Sequence, residues 1–193
     1  YARNGFNRLA GLHGASSYSA KSVTTETALE SAAIYACVKI IAEDIGGLPF
    51  FPYERSKDGA RLDKAYSHPL YECLHDQPNP DMSAGEFREA LTSRALLGVD
   101  GYASIERIAN RIYMWPITGT VEQKISDRGR LTFIVNKNTP NEKTYQRDEI
   151  FHLKGFTFDG SKGDDILRRA RHAIGLGLAA DEYAGKFFAN DAS

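Results

Sequence analysis

The C-terminal part of the sequence carries an apolar pattern with helical spacing, and this pattern constrains the fold most strongly. It predicts a helix from about Asp165 to Phe188, which would be roughly 35 Å long at 1.5 Å per residue. A chain of 193 residues is too small to cover such a helix alone, so we expect it to pack on a neighbouring chain or on further sequence. The predicted seam is rich in small residues, which let another helix approach closely. Its members are Ile166, Ala170, Ala173, Gly177, Ala180, Ala184 and Phe187.

Two capping boxes predict two further helices, because each pairs a hydroxyl residue with Glu three positions later. The first box is Thr27 with Glu30, and the second is Ser83 with Glu86. A short helix is also predicted over 68–76. The first long helix is expected to end at Gly46-Gly47 and to bury the stripe Ile34, Val38, Ile41 and Ile45. The helix after the second box is expected to turn Phe87, Leu91 and Ala95 inward.

Between Gly101 and Gly155 the apolar period changes from that of a helix to that of a strand. The alternation predicts four or five mostly antiparallel strands in one small sheet, so the expected fold class is α+β with packed helices and a long C-terminal helix. The Ala109-Asn110 connection is short for a strand-turn-strand, which leaves open whether residues are absent there. Strands are predicted over 48–55, 102–108, 121–126, 131–135 and 149–153, with a hairpin turn at 127–129.

Composition and patterning divide the chain into three segments. Residues 1–24 are rich in Gly, Ser and Ala and are predicted to be a flexible arm. Residues 25–160 are predicted to form an α+β domain, and residues 161–193 the long helix. Because the sequence stops soon after that helix, we expect it to be incomplete.

The charge balance disfavours tight, free-standing binding of nucleic acid. The 24 Lys plus Arg are matched by 25 Asp plus Glu, for a formal net charge of −1. Tight binding of a phosphate backbone needs a surplus of positive charge, because affinity comes from counterion release. A surface along which DNA slides is still allowed.

The cysteines and the apolar runs predict a soluble protein in a reducing compartment. Cys37 and Cys73 have no CxxC or Cys/His spacing, so the default interpretation is two buried free thiols. Neither a signal peptide nor a run of eighteen apolar residues is found in the sequence, so no membrane segment is expected.

Few residues suggest chemistry. None of the five histidines (His13, His68, His75, His152 and His172) has zinc-ligand spacing, and His152 is interpreted as a half-buried strand residue. The best enzymatic constellation is His152 with Asp159, Asp164 and Asp165, whose carboxylates could hold Mg²⁺ for phosphoryl transfer. The simpler interpretation is that Asp164 or Asp165 caps the long helix. We therefore expect no catalytic, cofactor-binding or metal-binding residues.

Other motifs favour structural roles. Gly98-Val99-Asp100-Gly101 and Gly160-Ser161-Lys162-Gly163 lack phosphate-loop spacing and are interpreted as turns. Trp115, with Tyr113 and Pro116, could form a stacking platform for bases, but no basic residue lies between these aromatics. Packing at a strand end is the preferred role for Trp115.

A series of short strings, in order over about residues 27–191, resembles the portal family of long-tailed double-stranded DNA phages (the HK ninety-seven type). The chain departs from that pattern at Asp164-Asp165, where Ser-Pro is usual, at Asp191, where Gly is expected, and at Ala109-Asn110. The matching strings cover 33–43, 48–49, 68–71, 74–80, 86–89, 101–103, 115–117, 149–152, 159–160 and 170–176.

This resemblance implies a non-enzymatic subunit of a dodecameric ring at one capsid vertex, through which DNA is packaged and ejected. It implies no cofactor, and as partners further copies of the chain, the large terminase subunit, a major capsid or scaffold protein, a head-tail adaptor and passing double-stranded DNA. Residues 25–160 would belong to the wing region, and 161–193 would lead to the stem and clip. The implied location is the portal vertex of the virion, with the host cytoplasm during assembly.

Two alternatives stay open at the level of sequence. One is a metal-dependent phosphoesterase that uses the Asp159–Asp165 loop. The other is a generic α+β adaptor or scaffold protein of a different assembly.

Overall fold

The structure is a computed structural model that describes residues 15–16, 21–56, 58–59, 62–126, 129–158 and 160–191. These residues form helices and small antiparallel sheets, so the predicted α+β class is confirmed. The helices are α1 (Thr25–Leu29), α2 (Ala32–Gly47), α3 (Ala84–Leu96) and α4 (Ile166–Asp191), with a π-helical segment at Glu72–Asp76. The strands are β1 (Ala15–Ser16), β2 (Ser22–Val23), β3 (Tyr53–Arg55), β4 (Leu62–Lys64), β5 (Gly101–Ile108), β6 (Arg111–Pro116), β7 (Val121–Ile125), β8 (Leu131–Val135), β9 (Lys143–Gln146) and β10 (Ile150–Leu153).

The expectation of one small sheet is wrong, because the strands are divided among separate sheets. In one three-stranded sheet β5 lies between β10 and β6, and in another β8 lies between β7 and β9. The pairs β1–β2 and β3–β4 are two-stranded. Alternation with a period of two identifies a strand but does not specify its partner. Of the ten strands in the described residues, the predicted ranges match β5, β7, β8 and β10, and the strand predicted over 48–55 is present only as β3. The sequence therefore predicts about half of the strands and does not predict the sheets.

The Ala109–Asn110 connection is a complete two-residue turn between β5 and β6. Ile108 pairs with Arg111 directly across it, and Ala109 adopts a left-handed backbone with φ of 53°. Such a conformation is costly for a residue with a Cβ, so the sequence gives no indication of this turn. The chain closes the turn without any additional residues.

The start of the helical region differs from the prediction. The structure has two helices, α1 and α2, where the sequence predicts one helix capped at Thr27. The cap is Thr24: its hydroxyl accepts the Thr27 N–H at 3.2 Å, and the Thr27 hydroxyl accepts the Thr24 N–H at 2.8 Å. The prediction placed the box wrongly because the usual motif has Glu or Gln three residues after the capping residue, whereas Thr27 occupies that position here.

The second predicted box is confirmed at the start of α3. The Glu86 carboxylate accepts the Ser83 N–H at 2.7 Å, and the Ser83 hydroxyl accepts the Glu86 N–H at 3.3 Å. Phe87, Leu91 and Ala95 are buried as predicted. The short helix predicted over 68–76 is present in part, as helical turns that end in the π-helical segment.

The described residues group into two compact units. The first unit contains residues of 15–40, 94–100 and 154–191. Its apolar core joins Ala28 of α1, Leu167 of α4 and Leu97, which directly follows α3. The half-buried Ile34 and Val38 of α2 pack against this core. Three separate stretches of sequence are therefore needed to build this unit.

The second unit contains residues of 41–93 and 101–153. One of its apolar clusters places Phe87 and Leu91 of α3 against Ala103 of β5 and Met114 of β6. The other cluster joins Tyr102, Ile117, Phe133, Val135 and Ile150.

The division into a 1–24 arm, a 25–160 domain and a 161–193 helix stays a prediction. Residues 1–14 and 17–20 of the arm lie outside the described residues, and the described remainder includes the β1–β2 pair. The long helix is present as predicted, as the 26-residue α4. In the part of the chain that the structure describes, no helix combines the length and apolar character that crossing a bilayer requires.

Candidate interaction surfaces

The acidic residues before α4 are engaged in local contacts. The Asp165 carboxylate accepts the Arg168 N–H at 2.8 Å, so this residue performs the predicted capping. The Asp164 carboxylate accepts a hydrogen bond from the Arg169 guanidinium, and this bond lowers the pKa of Asp164. Asp159 lies outside the described residues. Among the residues that are described, no three His, Cys, Asp or Glu side chains converge to hold a metal ion.

His152, the remaining member of the predicted constellation, lies half-buried in β10 as the sequence indicates. Its ring stacks on Tyr102 with centroids 4.5 Å apart and meets Phe133 edge to face at 5.8 Å. These contacts place the imidazole in the aromatic packing of the second unit.

The two glycine-containing segments that were interpreted as turns are brought together by Asp100, whose role the sequence did not reveal. Asp100 is buried, and its carboxylate accepts the Gly155 N–H at 2.8 Å and the Gly163 N–H at 2.9 Å. It has a left-handed backbone with φ of 50°, which Asp tolerates better than most residues. Since its partners are more than fifty residues away, no local pattern could have identified them.

Trp115 lies half-buried in β6 and not on an open platform. Its indole N–H donates to the Glu106 carboxylate at 3.2 Å across the β5–β6 ladder. This anchored position agrees with the preferred packing role.

A cluster of aromatic rings, also missed from sequence, connects the β3–β4 region to the π-helical segment. The Phe51 ring stacks on His75 with centroids 4.5 Å apart, and the Lys64 ammonium lies 3.8 Å from the Phe51 centroid. Tyr71 stacks on His75 with centroids 5.2 Å apart and on Phe51 with centroids 6.1 Å apart. The cluster stabilises this region through ring packing and a cation–π contact.

The buried stripe predicted for α2 is only half correct. Ile34 and Val38 are half-buried, but Ile41 and Ile45 are 42% and 39% exposed. The residues of this helix that are buried are Ala42 and Gly46. We call the remaining surface the α2 face: Cys37, Ile40, Ile41, Asp44 and Ile45, all exposed and on one side of the helix.

The C-terminal end of α2, which carries Ile41, Asp44 and Ile45, is firmly held within the second unit. The Arg88 guanidinium donates to the Gly46 carbonyl at 2.7 Å and to the Leu74 carbonyl at 3.1 Å. A Cβ on Gly46 would lie 3.1 Å from the Gly85 carbonyl oxygen, which shows how closely α2 approaches α3.

The predicted seam of α4 is largely uncovered in the described part of the chain. The helix buries Leu167 and Gly175, with Ile174 and Leu178 half-buried, whereas Leu176, Tyr183 and Phe187 are 67%, 73% and 51% exposed. We call the exposed side the α4 face: Arg169, Ala173, Leu176, Gly177, Ala180, Tyr183, Ala184 and Phe187. Six of these residues follow the three-four spacing of a helix-packing seam.

The α4 face begins beside a cluster of basic and aromatic side chains. Arg168, Arg169, Arg171 and His172 line an open cleft on the first turns of the helix. The Arg169 guanidinium also lies 5.2 Å from the ring centroid of the exposed Phe158. The face thus combines positive charge at its start with apolar surface along its length.

The sequence of the chain matches a known protein family over most of its length. A family model described as phage portal protein matches residues 32–193. The chain belongs to the phage portal protein family. This is a family of structural proteins, and the resemblance stated from the sequence is confirmed.

Two curated portal proteins illustrate the relationship. The portal protein of Enterobacteria phage HK97 is 28% identical over 173 residues, which cover 89% of this chain and 41% of that protein. The probable portal protein of Streptomyces phage phiC31 is 26% identical over 196 residues, with 93% and 41% covered. The portal-family chain therefore spans less than half the length of these relatives.

Solved structures show that the fold is shared. A chain in the neck of an empty GTA particle, computed with sixfold symmetry, has a TM-score of 0.69 and 17% identity, covering 97% of this chain and 52% of that one. A chain from the virion of a native gene transfer agent (GTA) particle has a TM-score of 0.61 and 16% identity, covering 96% and 50%.

Proposed function

We propose that this portal-family chain forms part of a ring subunit at one vertex of a phage capsid, the head-tail connector through which DNA enters and leaves. The observation that carries the proposal is the family match over residues 32–193. The GTA neck structure computed with twelvefold symmetry, which has a TM-score of 0.53 to this chain, supports a dodecameric arrangement. Residues 25–160 would form a wing-like region, and α4 would lead toward the stem and clip.

The uncovered helix faces fit a subunit that is completed by assembly. A helix that is apolar on several sides is typical of a buried environment, yet Ile40 of α2 is 59% exposed. Large exposed apolar patches mark interaction sites in soluble proteins. Both the α2 face and the α4 face have this character.

The near-neutral charge fits a conduit for DNA. With a formal net charge of −1, the chain lacks the surplus of Lys and Arg that tight phosphate binding needs. A channel that held DNA tightly would oppose its passage, because each strong phosphate contact is a barrier to sliding. Double-stranded DNA would therefore pass without sequence-specific contacts.

The subunit is proposed to act without catalysis of its own. Asp164 and Asp165, the best sequence candidates for a metal site, are engaged by Arg169 and by the first turn of α4. The large terminase subunit would supply the packaging motor, and a head-tail adaptor and a capsid or scaffold protein would be the other partners. The proposed location is the portal vertex of the virion, after assembly in the host cytoplasm.

Two measurements test this proposal. Native mass spectrometry of the full-length protein should give a closed ring mass, near twelve subunits if the twelvefold neck is the right guide. Phosphodiester hydrolysis with Mg²⁺ or Mn²⁺ should stay at the level of a protein-free blank, and Asp164→Asn should not change it. A stable monomer, or hydrolysis that Asp164→Asn abolishes, would contradict the proposal.

A further inference from the structure

We propose that the α2 face of one subunit packs antiparallel against the α4 face of its neighbour, and that this contact joins consecutive subunits head to tail. The inference rests on the proposed ring function and names the two surfaces that meet. It depends on complementarity in side-chain size, in charge and in helix polarity.

The two faces differ in side-chain size in the way that close helix packing requires. The α2 face presents Ile40, Ile41 and Ile45, which are 59%, 42% and 39% exposed and form a ridge of branched side chains. The centre of the α4 face carries the small residues Ala173, Gly177 and Ala180, which leave room for a large side chain beside the exposed Leu176. Ridges of one helix fit into grooves of another when large side chains meet small ones.

The charges are also complementary. Asp44 is the one acidic residue within the α2 face, and it is exposed near the C-terminal end of the helix. The α4 face begins at a basic cluster that includes Arg168, Arg169 and His172, in which the Arg169 guanidinium also pairs with Asp164. Antiparallel packing would place Asp44 beside this cluster. It would also set the negative end of the α2 dipole near the positive end of the α4 dipole.

This arrangement determines which parts of the two faces meet. Cys37 lies seven residues before Asp44, which is about 10 Å along α2 at 1.5 Å per residue. With Asp44 beside Arg169 or His172, Cys37 would lie opposite the stretch from Leu176 to Ala180.

Two different surfaces that fit each other produce a head-to-tail contact. Such a heterologous contact generates a closed ring when the rotation between subunits closes, whereas a contact of one surface with itself produces a twofold dimer. Two complementary faces on one chain therefore fit a ring better than a dimer.

The exposed native Cys37 allows a direct test by disulfide cross-linking. Two differently tagged forms of the full-length protein would be co-expressed, so that mixed rings assemble. One form keeps Cys37, and the other carries Cys37→Ser with Leu176→Cys, Gly177→Cys or Ala180→Cys. A disulfide forms only when the two Cα atoms lie about 4.4–6.8 Å apart. The matched control is Ala189→Cys in the second form, because Ala189 is exposed on the opposite side of α4.

We expect mild oxidation to join the two tagged forms through Cys37 at one or more of the three α4-face positions, with at least tenfold less product from Ala189→Cys. Imaging of the same samples reports whether rings are present. Rings with no cross-link, with equal cross-linking of the control, or with mainly Cys37–Cys37 products would overturn the α2–α4 contact and leave the proposed function intact. If the unmodified protein forms no rings, both the α2–α4 contact and the proposed function are overturned.

Discussion

The buried carboxylate of Asp100 accepts the backbone N–H of Gly163 at 2.9 Å and thereby fixes the loop that leads into α4. A second hydrogen bond, from the Gly155 N–H at 2.8 Å, holds the other end of the same loop. One side chain therefore positions the exposed Phe156 and Phe158 and the start of the α4 face. It achieves this across a sequence separation that no local motif spans.

Replacing Asp100 should destabilise this unit. Asp100→Ala removes a charged acceptor from buried N–H groups, so we expect it to lower the free energy of unfolding by about 3 kcal/mol. Asp100→Asn keeps one acceptor oxygen and tolerates the left-handed backbone, so its effect should be about 1 kcal/mol. Chemical denaturation of both variants measures the difference, and equal small losses would show that the carboxylate does not fix the loop.

The two thiols should differ sharply in reactivity. Burial raises the pKa of the Cys73 thiol to about 11, whereas Cys37 is exposed on the α2 face. At pH 8 only about one Cys73 in a thousand would be the reactive thiolate. A maleimide should therefore modify one thiol per unassembled chain quickly and the second only after unfolding.

The matched control for this labelling is Cys37→Ser, which should abolish the rapid phase. Rapid labelling of Cys73 in the folded variant would contradict the burial of that side chain. The prediction of two buried thiols is thus half correct, since Cys37 is exposed in the described chain.

Glycine at position 109 should stabilise the turn between β5 and β6. Ala109 has φ of 53°, a conformation that costs an L-residue roughly 1 kcal/mol and costs glycine almost nothing. Ala109→Gly should therefore raise the free energy of unfolding by up to about 1 kcal/mol, and Ala109→Val should lower it. Thermal melts of both variants measure this, and a loss of stability in Ala109→Gly would contradict the assigned turn.

The contact between Lys21 and α4 should depend on pH. Hydrogen bonds from Lys186 and from Lys21 lower the pKa of Glu182 from its usual 4.5 to about 2. Because the folded pKa is the lower one, the stabilisation is complete above pH 4.5 and is lost as the pH falls through about 2. An NMR titration of the Glu182 carboxyl carbon should show the low midpoint.

Single replacements distinguish the effects of Lys186 and Lys21 on the pKa of Glu182. Lys186→Ala should raise the Glu182 midpoint more than Lys21→Ala, because the hydrogen bond from Lys186 is the larger cause. An unchanged midpoint in both variants would contradict this account of the carboxylate.

The sequence predicted the features that depend on local spacing. The Ser83–Glu86 box, the inward face of α3 and the length of α4 all follow from residues within a few turns of one another. The family resemblance also came from the sequence, because an ordered series of short strings is specific even when each string is weak.

The features that were missed depend on contacts between distant residues. The division into separate sheets reflects which strands meet, and β9 is too polar to stand out by alternation. Ile41 and Ile45 were predicted to be buried because helical spacing identifies an apolar face but not the partner that covers it. The buried acceptor Asp100 belongs to the same class, since its role appears only when residues 155 and 163 are brought beside it.

The most direct test of the central claim is imaging of the full-length protein by electron microscopy, with class averages viewed down the particle axis. The account predicts closed rings of identical subunits around a central hole. Particles the size of a single subunit, at every protein and salt concentration tried, would contradict it.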